Sequence, residues 1–242
     1  MDGAISLIQL LVNADDFGYS RGVNYGIMDA HKHGIVNSTT MLMNMQGTDQ
    51  AIELAKENPD LKVGVHLTLT CGKALAPKVP SLTSDDGTFR MTRKFERIEE
   101  VRVEDVEMEW SAQIEAFLQT GLVPTHMDSH HHIHGQSKLL SVVKRLSEKY
   151  GLPVRNVFGD KKTDLRLLTD IFLADFYKDG VHEGYFDELQ NRVKGGTSVE
   201  VMCHPAYVDE ALLNGSSYHV KRADELTILM NTKLNKEKIQ LL

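Results

Sequence analysis

Strand-like and helix-like stretches alternate along nearly the whole chain, and this alternation limits the fold more than any other feature. "IQLLVNA" (8–14) reads as a buried strand, and "SRGVNYGIMDAHKHG" (20–34) as a helix with Ser20 as N-cap and Gly34 just past its end. A short, partly β-branched strand (35–43) leads to a helix running from a capping Thr48 to Pro59, then to the strand "LKVGVHLTL" (61–69). The pattern continues with a helix at 103–121, a strand at 123–128, a helix at 138–151 and a strand at 153–158. Helical segments across 164–194, a strand at 198–204 and a helix at 222–234 complete it. Such alternation over 242 residues predicts an α/β fold with parallel strands, a single-domain (β/α) barrel-like fold spanning 1–242. An open doubly wound sheet is the second architecture the pattern allows. Residues 71–95, rich in Lys, Pro, Ser, Asp and Gly, read as a long loop or insertion, a feature that is often functional inside a compact domain.

The hydrophobic fraction of 41% and charged fraction of 25% describe a soluble globule. The net charge of −7 offers nothing to nucleic acid or an anionic membrane, and no apolar run is long enough to span a bilayer. The N-terminus lacks the basic start and cleavage site of a signal peptide. Cys71 and Cys203 form no CxxC pair, which fits a reduced compartment. The expectation is a cytoplasmic protein, with a homodimer allowed.

In a parallel barrel, functional groups gather at the C-terminal ends of the strands. The first strand ends there on two adjacent acids, Asp15 and Asp16. Adjacent strand residues point to opposite faces, but a strand end can turn both toward one site, where one ligates a metal and the other accepts a proton. The bland alternative is a solvated acidic turn at "DDFG". "THMDSHHHIH" (125–134) adds His126, Asp128, His130, His131, His132 and His134, a set suited to a catalytic divalent ion, though spacing does not say which of them bind. Taken alone, His66 in its apolar strand reads as a core histidine. His204 reads the same way, although Pro205 fits a strand end leading into a rim loop, and Arg155 reads equally as a core-edge arginine paired with an acid. The basic stretch 90–102 is interleaved with Glu and reads better as a solvated helix face than as a phosphate site.

"VNADDFG", "STTMLMN", "GVHLTLT", "PTHMDSHHHIH" and "EVMCHPAY" together resemble the YdjC/ChbG family of carbohydrate deacetylases, in the family's order and over most of the chain. The resemblance implies a metal held by Asp16, His66 and His130, with Asp15 as general base and His204 as general acid; a looser analogy has Arg155 orienting Asp15. It implies Mg²⁺, with Zn²⁺ as the alternative that one carboxylate and two imidazoles also accept. The implied substrate is a small N-acetylated oligosaccharide, phosphorylated in some members. Family chains run on past the last helix, whereas this one stops at "KIQLL", so a short or missing final strand and an irregular or incomplete barrel are expected. Two rivals differ in kind. A metal-dependent phosphoesterase would use two or more metals and release phosphate. A sugar-binding protein with a structural metal would turn nothing over and would have no need of a spare acid.

Overall fold

The computed structural model describes residues 6–159 and 163–242. Strand β1 (Ile8–Phe17) is the longest strand and lies at the centre of the sheet. Its run of apolar side chains is buried on both faces, as expected of a parallel strand covered on each side. Helix α1 (Arg21–His33) follows, with the Ser20 hydroxyl accepting from the Val23 N–H. Next come β2 (Ser38–Met41), α2 (Thr48–Glu57) and β3 (Lys62–Leu67). Thr48 does not cap α2: Gly47 takes the cap position, and the Thr48 hydroxyl lies 2.7 Å from the Met45 carbonyl. After α3 (Val103–Gln119), β4 (Met127–Ser129) and α4 (Leu140–Tyr150) come β5 (Ile171–Leu173), α5 (Tyr185–Arg192), β6 (Ser198–Cys203), α6 (Glu210–Gly215), α7 (Lys221–Asn231) and β7 (Ile239–Leu241).

All strand pairs are parallel, and the order β4-β3-β2-β1-β6-β5 makes a curled, barrel-like sheet rather than a doubly wound one. β6 covers one edge of β1 from Gln9 to Ala14. The other edge is shared, with β2 beside Asn13 to Phe17 and β7 beside Ile8 to Leu10. The final strand is thus present and short. The barrel is irregular elsewhere, between β4 and β5, where single bridges join Met127 to Val154 and Val154 to Leu167. The expected strand at 153–158 is reduced to that bridge, because the chain turns there and sends Arg155 into the interior, 0% exposed. Likewise the expected helical stretch 164–194 contains β5 before its only α-helix, α5.

Residues 68–97, between β3 and the turn preceding α3, form the long connection. Helix α3 holds it by a stripe of buried polar side chains four residues apart. The Asp105 carboxylate accepts from Ser81 N, Glu109 from Leu75 N and Ala76 N, and Gln113 pairs with both Thr68 N and Thr68 O. The adjoining face of the same helix (Val106, Trp110, Ile114, Phe117) is fully buried in the core. The basic stretch is not a helix face: apart from a short 3-10 turn at Ile98–Glu100 it is loop, and it brings Arg90 and Arg93 to the wall of the main cavity. On the opposite side, Gly22 and Gly26 let α1 approach the segment after β6. A Cβ on Gly26 would lie 2.4 Å from Ala206 Cα. Among the described residues, no helix is long and apolar enough to cross a membrane.

Candidate metal and acid–base site

The C-terminal ends of β1, β3, β4 and β6 converge on a cavity of about 700 Å³. At its floor, β1 departs from regular pairing. Its register with β2 shifts between Ala14 and Phe17, and Asp16 has a φ of 71°. A bulge with a left-handed residue breaks the two-residue alternation of a strand and re-aims side chains. Asp15 and Asp16 therefore both line the cavity, and both are buried, at 2% and 0% exposure, which removes the solvated-turn alternative.

Each acid has its own arginine. Arg155 grips Asp15 with two nitrogens, Nη1 to Oδ2 at 2.7 Å and Nη2 to Oδ1 at 2.6 Å. Arg222 donates from Nη2 to Asp16 Oδ2 at 2.8 Å. Burial disfavours the ionised form of both acids, but the positive charges outweigh it. Arg155 brings Asp15 below the usual carboxylate range, and His130 with Arg222 holds Asp16 well below it. Arg155 is a hub: it also pairs with Asp128 at 2.7 Å and with Glu200 at 2.8 Å.

The second oxygen of Asp16 faces two imidazoles, His130 Nδ1 at 2.9 Å and His66 Nε2 at 3.4 Å. These three residues form a group whose ligand atoms all lie within 4.8 Å of one another. Asp16 Oδ1 and His66 Nε2 are buried and make no well-aligned hydrogen bond, although His130 Nδ1 lies 2.9 Å from Oδ1, as expected of ligand atoms that converge on a cation. The far nitrogen of His66 bonds Asp128 Oδ1 at 2.7 Å, the carboxylate–imidazole support that fixes ring orientation at metal sites. Desolvation would lower the His66 pKa, but Asp128 and Asp16 raise it to about 10, so binding a cation has to displace a proton from the ring. A second group, Asp15, His66 and Asp128, has the same compactness, but the Arg155 guanidinium already occupies both of its carboxylates.

The histidine-rich stretch divides by position. His130, His131 and His132 line the cavity, the last two in left-handed backbone (φ 57° each), and His131 Nδ1 lies 2.9 Å from Thr70 Oγ1. His126 and His134 are buried away from the cavity. His126 Nδ1 lies 2.9 Å from the Thr125 hydroxyl, and a Cβ on Gly64 would come within 2.6 Å of its ring. His134 contacts Ser129 Oγ and the Arg155 carbonyl. His204 follows β6 and packs edge-on against Tyr218 and at a tilt against Tyr177, ring centroids 5.7 Å away in each case. Its backbone N–H donates to buried Glu225, which also accepts from the Tyr218 hydroxyl. Burial and the nearby Arg222 push His204 down to about 4, so it rests neutral at pH 7. The structure thus gathers Asp15, Asp16, His66, His130, Arg155 and His204 in one place. It brings in Asp128 from the histidine-rich stretch as the support of His66, and adds Arg222, Glu200 and Glu225, which the sequence reading did not name. A glutamate inside the apolar strand "SVEVMC" was a signal of a buried partner; nothing local in "RADEL" singled out Arg222.

A parallel barrel with a carboxylate–bis-imidazole group beside an ionised, arginine-held acid has the form of a site for proton transfer next to a cation. The model for the family described as "YdjC-like protein" matches residues 9–237. A carbohydrate deacetylase of Halalkalibacterium halodurans is 50% identical over 231 residues, covering 94% of this chain and 97% of the relative. One from Geobacillus stearothermophilus is 46% identical, covering 93% and 90%. Among solved structures, a putative cellobiose-phosphate cleavage protein from Enterococcus faecalis superposes with a TM-score of 0.89 at 36% identity, covering 98% of this chain and 97% of that one. The chain belongs to the YdjC-like family.

Proposed function

We propose that this enzyme, of the carbohydrate deacetylase class, is a metal-dependent hydrolase that removes N-acetyl groups from small N-acetylated oligosaccharides. The observation that carries the reading is the pair of adjacent acids with separate partners, Asp16 facing two imidazoles and Asp15 held by Arg155. Asp16, His66 and His130 would hold one divalent ion, Mg²⁺ by family resemblance or Zn²⁺ by ligand chemistry. When bound, the ion supplies Lewis acidity toward the acetyl carbonyl and makes water more acidic. Asp15, ionised by its arginine, accepts a proton from the water whose oxygen bonds to the carbonyl carbon. Arg155 keeps the carboxylate aimed and ionised. As the C–N bond breaks, the leaving nitrogen needs a proton, and His204 faces the same cavity. Because His204 rests neutral, it delivers a proton only after receiving the one that Asp15 took from the water, a transfer that leaves Asp15 ionised again beside Arg155 and His204 protonated for the leaving nitrogen.

Arg90 and Arg93 on the cavity wall suit an anionic substituent such as phosphate on the sugar. A phosphoesterase with two metals fits less well, since Arg155 stands where a second cation would sit. The test is release of free acetate from N-acetylated chito-oligosaccharides, with and without a 6-phosphate and with and without chelator. Release of phosphate instead of acetate would reverse the assignment, and metal analysis of the purified protein decides the ion.

A further inference from the structure

Arg222, at the start of α7, has a geometry that the reaction as described does not use. Its side chain is 3% exposed and reaches two partners inside the protein: Nη2 donates to Asp16 Oδ2 and Nε to the Tyr218 carbonyl, each at 2.8 Å. The third nitrogen, Nη1, is buried and has no acceptor, and the side chain lines the cavity. A guanidinium is a planar, rigid fork, so fixing Nε and Nη2 also fixes Nη1. An arginine serving only to tie α7 to β1 would be expected to satisfy that donor within the protein, since orphaned buried N–H groups are rare and costly. At the other end of the contact, Asp16 is divided between neighbours: Oδ2 goes to Arg222, and Oδ1 is left to His66 and His130.

We propose that Arg222 is a positioning residue that restricts Asp16 to one-oxygen ligation of the ion and offers Nη1 as a hydrogen-bond donor to an oxygen of the N-acetylated sugar. The inference rests on the proposed function, and its two halves separate under substitution. Arg222→Met removes all three donors with little change in length. Arg222→Lys keeps a cation with one compact donor that can reach Asp16, but it cannot hold the fork that sets Nη1. The readouts are thermal stability, affinity of the metal-stripped protein for Mn²⁺ or Zn²⁺ alone by titration calorimetry, and KM and kcat for acetate release from a chito-oligosaccharide. The expected result is an ion affinity about 10–100-fold weaker in Arg222→Met, the usual effect of losing a partner that orients a ligand, together with a raised KM. Arg222→Lys should recover ion affinity but not KM. Ion affinity and KM unchanged in Arg222→Met overturn the proposal, and a lowered Tm with both unchanged means a structural tie only. Should the Met variant not fold, a wild-type KM in Arg222→Lys overturns the substrate contact and an ion affinity lost with it overturns the charge-based positioning. Failure of the unsubstituted protein to bind a divalent ion or to release acetate would instead reject the proposed function, on a different sample.

Discussion

Replacing Asp15 by Asn isolates the proton-accepting role, because the amide keeps the shape of the carboxylate and cannot take a proton near neutral pH. General-base catalysis is worth ~10²–10⁴-fold, so kcat should fall by at least that much, with KM changing far less. The structure also sets a cost in stability. Asp15 accepts two hydrogen bonds from Arg155 and one from Asn13 Nδ2 at 2.9 Å, and an amide must turn its NH₂ toward one of these donors. Removing one member of a buried ion pair costs about 3–5 kcal/mol when the other charge is left alone. Here Arg155 keeps Asp128 and Glu200. The loss is therefore closer to one charge-assisted hydrogen bond with a mismatched donor, about 1–3 kcal/mol, which corresponds to a fall in Tm of about 2–12 °C for a chain of this size. Acetate release, metal content and Tm are measured on one preparation. Retained activity removes Asp15 from the chemistry, loss of metal with activity makes it a ligand, and loss of the fold means that Asp128 and Glu200 do not compensate Arg155.

Asp16→Ala, His66→Ala and His130→Ala should each lose bound divalent ion and activity; full metal occupancy with normal turnover in any of them removes that residue from the ligand set. Gly26→Ala should destabilise by about 1–3 kcal/mol through overpacking against Ala206 Cα, at 2.4 Å from the new Cβ, and an unchanged Tm would refute that close approach. In chelator, Tm should rise from pH 4.5 to about 6.5 and then fall toward pH 8. Burial lowers His126, His132 and His204 from 6.5 to about 4, and His131 and His134 to about 3, so the unfolded chain binds more protons and stability drops as pH falls below 6.5. Glu200 and Glu225, raised by burial from 4.5 to about 7 and 8, act in the opposite sense, but only two groups oppose five below pH 6.5. Above it they prevail, joined by His66, so a Tm still climbing at pH 8 would contradict these burial effects.

What the sequence revealed and what it hid follow from the range of each interaction. Parallel strands and helices announce themselves through local periodicity, so β1, α1, β3, α3, α4 and β6 stand close to where their patterns put them. Residues 153–158 have the composition of a strand, but their conformation is decided by Arg155, whose partners Asp15 and Glu200 lie 140 and 45 residues away. The same holds for the two adjacent acids. Side by side they would repel and one would take up a proton. A bulge in β1 and a left-handed Asp16 turn both into the cavity, and two arginines, one from the turn after β4 and α4 and one from α7, each hold one of them ionised. The pair "DD" marks the place of the site in the sequence. Which arginine holds which acid depends on partners 140 and 206 residues along the chain, which no local pattern can show.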